Sequence, residues 1–230
     1  MTIVLYELCA GDQARRFSPH CWKARMALAH KQLVYETRPT PFTRIKEIAG
    51  GFSPTVPVVD DGGKLVRDSF DIALYLDETY PDRPTLFGGE GGKATARFVE
   101  SWALTALHPP LLGMIIGDIH AALAAPDRAY FRESREKRFG KRLEDVQTGR
   151  EGRVEGFRQA LQPLRHLLER QPFIGGQTPL FADYVVFGPL QWVRVISPFR
   201  VLAADDAVTA WFDRCLDLYD GLGRTMPAAA

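Results

Sequence analysis

Apolar and polar positions follow two different periods, which alternate over the first part of the chain. Short runs rich in β-branched and aromatic residues alternate with stretches in which apolar residues recur every three or four positions. Asp61, Gly62 and Gly63 separate the last two short runs and form a hairpin signal. The pattern predicts a mixed unit of order β-α-β-α-β-β-α, with strands over 3–8, 33–38, 56–60 and 64–67 and helices over 19–31, 42–48 and 69–80.

The second part of the chain has helical period almost throughout. Phe157, Leu161 and Leu164 fall on one helix face, and Pro163 within that run predicts a break. Basic and acidic residues are mixed between Arg132 and Arg158, which is typical of a solvated helix face. Prolines and glycines concentrate from Pro81 to Gly92 and predict a linker. The predicted organisation is a mixed domain over 1–82, a linker over 83–92 and an all-helical domain over 93–230.

Composition and charge exclude several classes of protein. The 230 residues carry 29 basic and 28 acidic side chains, so no global field favours nucleic acid or an anionic membrane. No apolar run approaches the length of a membrane span, and no targeting segment begins the chain, so a cytoplasmic location is expected. Three cysteines without paired spacing and five scattered histidines predict neither a disulfide framework nor a metal site.

Three short motifs carry the chemistry of the mixed domain. Ser18 is a good N-cap for the first helix, with Pro19 at the first helical position. Pro57 at the head of the third strand tolerates the cis form and exposes the backbone of Val56 for pairing with an extended peptide. The closing helix begins after Asp68, and its free N–H groups suit a carboxylate ligand. A strand, a helix start and an X-Pro bond converge in this way in thioredoxin-like folds.

The same motifs resemble the glutathione transferase superfamily over nearly the whole chain. The resemblance lies in Ser18-Pro19-His20-Cys21-Trp22-Lys23-Ala24-Arg25, Val56-Pro57-Val58, Asp68-Ser69, Tyr80-Pro81-Asp82-Arg83-Pro84 and Phe181-Ala182-Asp183-Tyr184. It is strongest to the bacterial β-etherases that cleave lignin aryl ethers and to related fungal transferases. The resemblance implies an α+β N-terminal thioredoxin-like domain that binds glutathione, an all-α C-terminal domain that shapes a hydrophobic pocket, and a homodimer.

The resemblance also implies roles for single residues. Ser18 matches the activating hydroxyl, Val56 the backbone partner of the cysteinyl unit and Pro57 the cis-proline, while Asp68 and Ser69 match the γ-glutamyl recognition pair. No motif identifies the residue that holds the glycyl carboxylate, for which the candidates are Arg44 and Lys46. One position departs from the family pattern. In many relatives the residue three positions before the aspartate that matches Asp183 is Ser, Thr or Asn, which caps the helix. This chain has Leu180 at that position, and Thr178 is the nearest substitute cap.

Other residues are candidates for the second-substrate pocket. They are aromatic, apolar or polarizable side chains predicted near the cleft, namely Cys9, Trp102, Leu107, His108, Met114, Ile115 and Trp192. Cys9 follows the first strand, in a loop expected to face the cleft. Cys21 and Cys215 are interpreted as packing residues.

Three functions are consistent with these residues. In the first, the Ser18 hydroxyl lowers the pKa of the glutathione thiol, and the thiolate attacks a hydrophobic, aromatic electrophile; in the β-etherase-like case it displaces a phenoxide next to an aryl ketone. The roles implied are detoxification or aromatic compound metabolism. The second is a ligandin-type protein that binds aromatic compounds without turnover. The third is a thiol transferase that works through Cys9. A dithiol cycle is excluded at the first helix because Ser18 replaces the first cysteine of a C-x-x-C motif.

Overall fold

The four strands form one mixed sheet in the order β2-β1-β3-β4. In the computed structural model, which describes residues 2–230, they are β1 (Ile3–Leu8), β2 (Tyr35–Thr40), β3 (Val58–Asp61) and β4 (Lys64–Arg67). β1 runs parallel to β2 and antiparallel to β3, and β3 pairs with β4 through the hairpin. The predicted order of elements in this domain is confirmed.

Two strands begin later than the sequence pattern predicts. β3 begins at Val58 because Pro57 has no N–H to donate to the sheet. β2 begins at Tyr35, and the preceding Val34 is 84% exposed, so the apolar residue that suggested an earlier start faces solvent.

Helices cover one side of the sheet and join it to the second domain. α1 (Pro19–His30) and α2 (Ser69–Thr79) pack against each other, and a short 3-10 helical segment (Phe42–Gly51) follows β2. α1 is buried on nearly all sides, since it lies between the sheet domain and a helix of the second domain. Even Lys23 is fully buried, and its Nζ lies 3.5 Å from Glu100 Oε1.

The second domain is helical throughout, as predicted. Its helices are α3 (Glu90–Trp102), α4 (His108–Ala122), α5 (Ala125–Phe139), α6 (Leu143–Gln147), α7 (Arg150–Ala160), α8 (Gln162–Leu168), α9 (Phe181–Ile196) and α10 (Ala207–Gly221). A π-helical turn, Ala103–Leu107, joins α3 to α4. Pro163 lies in the first turn of α8, so the predicted break before it is confirmed.

The linker ends earlier than the run of glycines suggested. Residues Tyr80 to Gly89 form neither helix nor strand, whereas Gly91 and Gly92 lie in the first turn of α3. A side chain at Gly92 would collide with the backbone carbonyl of Phe87. This glycine therefore allows the chain to turn closely into the helix rather than ending regular structure.

The hydropathy of the third and fourth helices bears on the expectation that no apolar run approaches the length of a membrane span. The 33 residues from Glu90 to Ala122 form a continuous helical stretch whose most apolar window has a mean hydropathy of 1.2, enough to cross a membrane by length and composition. Leu107, Leu111 and Ile115 on this stretch are fully buried in the protein core. Of this window, 44% is buried inside the protein, so packing accounts for part of its apolar composition.

α9 is the central helix of the interface between the two domains. It packs along α1, and a side chain at Gly188 would collide with the carbonyl oxygen of Pro19. At its start, buried Asp183 accepts hydrogen bonds from the N–H groups of Ile174 (2.7 Å), Gly175 (2.9 Å) and Leu180 (3.0 Å), and from Trp211 Nε1 (2.9 Å). The missing cap at Leu180 removes one hydrogen bond, while Asp183 still ties the start of the helix to the preceding loop and to α10.

Candidate active site

A cavity of about 490 Å³ lies between the two domains. From the N-terminal domain it is lined by Leu8, Phe17, Ser18, Pro19, His20, Phe42, Ile45, Pro54, Thr55 and Val56. From the helical domain it is lined by Leu104, His108, Pro109, Leu112, Ile119, Tyr130, Phe131, Arg135, Arg138 and Trp192. The wall is mainly apolar and aromatic, as in sites for small organic ligands.

Ser18 occupies the N-cap of α1 at the edge of this cavity. Its Oγ accepts a hydrogen bond from the N–H of Cys21 at 3.3 Å, and the residue is 5% exposed. Within residues 2–230 the Ser18 hydroxyl faces no oxygen or nitrogen acceptor, and its one interaction as a donor is with the buried Cys21 thiol, which is a weak acceptor. The hydroxyl hydrogen is therefore available to a ligand, at the positive end of the helix dipole.

The loop before β3 offers the second feature of the site. The Val56–Pro57 peptide bond is cis, and Thr55 and Val56 line the cavity. Ser53 Oγ donates to the Thr55 carbonyl (2.7 Å) and accepts from the Thr55 N–H (3.2 Å), which orders this loop. The backbone N–H and carbonyl of Val56 bond to no other residue in the range 2–230 and can pair with an extended peptide.

The start of α2 holds the third feature. Asp68 adopts φ 68° and caps the helix, accepting hydrogen bonds from the N–H groups of Phe70 (2.7 Å) and Asp71 (3.3 Å). Ser69 Oγ is buried and has no partner among the described residues. Neither residue lines the 490 Å³ cavity, although α2 packs directly against α1. The structure thus brings Ser18 and Val56 into one cavity and places Asp68 and Ser69 beside it.

These groups fit glutathione. Val56 offers a free peptide edge and Ser18 a hydroxyl donor, the two features expected of partners for the cysteinyl backbone and the sulfur of glutathione. The unpartnered Ser69 Oγ and the α2 N-terminus suit a carboxylate. Arg44 and Lys46 are both exposed and do not line the cavity, and Arg44 pairs with Glu47 at 2.6 Å.

Two histidines meet in the cavity wall. The rings of His20 and His108 stack with centroids 5.1 Å apart. Burial and the neighbouring Lys23 ammonium lower both pKa values, that of His108 to about 4 and that of His20 well below its ordinary range. Both imidazoles are therefore neutral at pH 7 and add no charge to the cavity.

The structure separates the candidate pocket residues into two groups. His108 and Trp192 line the cavity. The others do not line it. Trp102 packs half-buried against the core, and the rest are fully buried away from the cavity wall, namely Cys9, Leu107, Met114 and Ile115.

The buried position of Cys9 also bears on its reactivity. Burial raises the pKa of the Cys9 thiol to about 11, and the thiolate is the reactive form. This geometry argues against thiol exchange through Cys9. Cys21 is fully buried with a pKa raised to about 12, and Cys215 is buried too, which fits their interpretation as packing residues.

Several cavity residues could not be recognised from the sequence. Phe131, Arg135 and Arg138 share one face of α5 at spacings of four and three, within a segment that charge mixing had marked as solvated. The Arg135 guanidinium lies 4.8 Å from the ring centre of Phe131 and 5.7 Å from that of Phe42. The helical spacing was the available signal, but it does not show which side of α5 faces a cavity. Within residues 2–230 no group of three potential metal ligands comes together.

Comparison with known proteins agrees with this fold. A family model described as the glutathione S-transferase N-terminal domain matches residues 14–84, and one described as the glutathione S-transferase C-terminal domain matches residues 94–218. The glutathione S-transferase-like protein ustS of Aspergillus flavus is 24% identical over 207 residues, which cover 78% of this chain and 75% of that protein.

Solved structures of fungal proteins are similar over almost the full length. A glutathione S-transferase of Ceriporiopsis subvermispora, solved in complex with glutathione, has a TM-score of 0.79 at 26% identity, with all of both chains covered. The glutathione transferase GSTFuA2 of Phanerochaete chrysosporium has a TM-score of 0.78 at 27% identity, covering 98% of this chain and 95% of that one. The chain belongs to the glutathione S-transferase family. Its two-part fold is the one that the sequence motifs predicted: a thioredoxin-like domain followed by a helical domain.

Proposed function

We propose that this protein is a serine-type glutathione transferase that activates the glutathione thiol through Ser18 and directs it at a hydrophobic aromatic electrophile. The observation that carries the proposal is the available hydroxyl hydrogen of Ser18, at the start of α1 and in the wall of an aromatic cavity. β-Aryl ethers next to an aryl ketone are the finer candidate substrates, because the motif around Ser18 resembles that of the β-etherases.

The Ser18 hydroxyl stabilises the thiolate of glutathione relative to the thiol. A hydrogen bond to a charged partner contributes roughly 1.5–3 kcal/mol, and about 1.4 kcal/mol corresponds to one pKa unit. A thiol pKa near 8.5 therefore falls to about 6.5–7.5. The dipole of α1 acts in the same direction.

The rest of the catalysis is positioning. Val56 and the α2 start hold the peptide, while the cavity holds the electrophile close to the sulfur. In the ether-cleaving case the sulfur forms a bond to the carbon next to the ketone, and the phenoxide leaves with the electrons of the carbon–oxygen bond. The products are a glutathione thioether and a phenol, once the phenoxide takes up a proton from water.

The test is a glutathione-dependent electrophile panel, including chlorodinitrobenzene and a β-aryl ether ketone, on wild type, Ser18→Ala and Ser18→Thr. Loss of the hydroxyl is expected to lower kcat/KM by about 10- to 100-fold on every accepted electrophile. Ser18→Thr keeps both the hydroxyl and the cap and is expected to retain most activity. Full activity in Ser18→Ala would refute the assigned role. Tight aromatic binding without turnover of any electrophile would favour the ligandin function.

A further inference from the structure

Positive charge is concentrated at one part of the cavity wall. Arg135 and Arg138 line the cavity, whereas no aspartate or glutamate among residues 2–230 does. The two histidines of the wall have lowered pKa values and are neutral at pH 7, so they do not change this balance. The cavity of a nearly neutral protein thus carries a local excess of two positive charges.

Arg135 is held in place without being neutralised. Its guanidinium stacks over Phe131 and Phe42, and Nη1 donates to Ser134 Oγ at 3.0 Å. No carboxylate of residues 2–230 lies within ion-pair distance of Arg135. Burial and the nearby positive charge of Arg138 lower the pKa of Arg135.

The neighbouring arginine on the same helix shows the contrast. Arg132 lies one turn before Arg135 and donates to Glu136 at 2.7 Å and to Glu144 at 2.8 Å. Among the described residues no carboxylate pairs with Arg135 or Arg138, which line the cavity, nor with Arg128 or Lys137, which do not. The two cavity arginines differ from Arg128 and Lys137 in that they lie in the aromatic wall. A partly desolvated guanidinium gains most from a carboxylate, which it binds through two parallel hydrogen bonds.

We propose that Arg135 and Arg138 form an anion subsite that binds a carboxylate on the aromatic second substrate. This inference rests on the proposed transferase function and narrows its substrate class to aromatic electrophiles that carry an acidic group. The aromatic ring of such a substrate would lie against the wall formed by Phe42, Tyr130 and Phe131, in which the Phe42 ring packs on those of Tyr130 (6.2 Å between centres) and Phe131 (5.7 Å).

Glutathione also carries carboxylates. The residues proposed for its cysteinyl and γ-glutamyl parts, Ser18, Val56 and Ser69, all belong to the N-terminal domain, while no residue is assigned to its glycyl carboxylate. Arg135 and Arg138 belong to α5 of the helical domain, and Arg135 is embedded in the aromatic part of the wall. This aromatic setting favours the second substrate, and the KM for glutathione distinguishes the two carboxylates.

The test compares two electrophiles with the same ring and leaving group, para-chloro-meta-nitrobenzoate and its neutral benzamide. In both, the thiolate sulfur bonds to the carbon that carries chlorine, and chloride leaves with the electrons of the carbon–chlorine bond. Arg135→Gln and Arg138→Gln are each expected to lower kcat/KM for the benzoate by about 10-fold or more. In both variants, kcat/KM for the benzamide and the KM for glutathione are expected to change less than about twofold. Arg142→Gln removes an exposed arginine outside the cavity and serves as the matched control.

Two kinetic outcomes would overturn the subsite. Equal losses on both electrophiles would mean that the arginines have a structural role. A raised KM for glutathione in the two variants would instead mean that the arginines bind the glycyl carboxylate of glutathione.

Calorimetry separates failure of the subsite from failure of the transferase function. Unreactive analogues with methyl in place of chlorine are titrated into wild type and Arg135→Gln. Tighter binding of the acid than of the amide, lost in the variant, supports the subsite even if neither chloro compound is turned over. Equal binding of acid and amide to wild type overturns it even if both chloro compounds react.

Discussion

Asp127 is a single carboxylate that joins the helical domain to the cavity wall. It lies in the first turn of α5 and is 3% exposed. It accepts hydrogen bonds from the N–H of Phe42 (2.8 Å), the N–H of Thr43 (2.9 Å) and the hydroxyl of Thr43 (2.7 Å). These donors begin the 3-10 segment, whose own N-terminus has no side-chain cap. One residue of the second domain therefore fixes the position of Phe42 in the cavity.

Replacing Asp127 is expected to loosen this part of the site. Asp127→Ala leaves the partly buried N–H groups of Phe42 and Thr43 and the Thr43 hydroxyl without their acceptor, which costs about 1–3 kcal/mol of unfolding free energy. The KM for the electrophile is expected to rise because Phe42 is no longer held, and the Phe42 and Thr43 amides are expected to exchange hydrogen faster. Asp127→Asn keeps the shape and one acceptor and is the control. Unchanged amide exchange in Asp127→Ala would contradict this role.

Residues with a fixed local geometry were predictable from the sequence, whereas residues defined by long-range packing were not. Ser18 and Asp68 are helix caps, and both lie where the motifs predict. Cys9 was expected to face the cavity, yet packing buries it completely, and Arg135 was expected in solvent, yet α5 turns it toward the cavity. Position along a helix fixes a side chain relative to its own helix, but the face that meets a cavity depends on distant elements.

Among the elements, the contact between α1 and α9 controls the position of Ser18. Gly188 leaves just enough room for the backbone of Pro19, the residue after Ser18. Gly188→Ala is expected to push the start of α1 away and to destabilise the protein by about 1–3 kcal/mol, with a higher KM for glutathione. Denaturant unfolding and steady-state kinetics measure the two effects.

Gly156 provides a matched control within an exposed helix. A side chain there meets no atom within 4 Å, so Gly156→Ala is expected to stabilise the protein by up to about 1 kcal/mol through helix propensity. If Gly188→Ala raised the unfolding free energy as Gly156→Ala is expected to do, the close contact with Pro19 would not contribute to stability, and the prediction would be wrong.

The ends of elements were less predictable than their order. The strand and helix order of the first domain follows from periodicity, as does the break before Pro163. Gly92 lies in α3 and not in the predicted linker. In sequence, a glycine that permits a close approach inside a helix looks the same as a glycine that ends a helix. Only the position of the Phe87 carbonyl distinguishes the two cases.

At the scale of the whole molecule, the buried histidines predict how stability depends on pH. The folded-state pKa of His108 is lowered to about 4 by burial and Lys23, whereas the unfolded chain has an ordinary value near 6.5. The unfolded state therefore binds more protons between these values, so the stability that this group contributes is present above pH 6.5 and is lost as pH falls toward 4. Its share is about 2–3 kcal/mol.

Unfolding measurements over this range test the assignment. His108→Phe keeps a ring against His20 and is expected to reduce the loss of unfolding free energy on acidification by about 2–3 kcal/mol. An identical pH dependence in His108→Phe and wild type would show that His108 is not held neutral by the fold.

Near-neutral charge and a two-domain fold together shape the site. With a net charge of +1, attraction of charged ligands has to come from local groups. The proposed groups are the α2 start for glutathione and Arg135 with Arg138 for the second substrate. The family and both domain types could be predicted from short motifs because those motifs contain the site of the first domain. The composition of the second-substrate wall could not, since it is assembled from α4, α5 and α9, which lie far apart along the chain. The homodimer and the cytoplasmic location stay predictions.

The central claim is that the Ser18 hydroxyl lowers the pKa of the bound glutathione thiol. The most direct measurement is an ultraviolet titration of the thiolate in the binary complex of glutathione with wild type, Ser18→Ala and Ser18→Thr. Wild type and Ser18→Thr are expected to show a thiol pKa about 1–2 units below the free value near 8.5, and Ser18→Ala a value close to that of the free thiol. A thiol pKa in Ser18→Ala as low as in wild type would contradict the account.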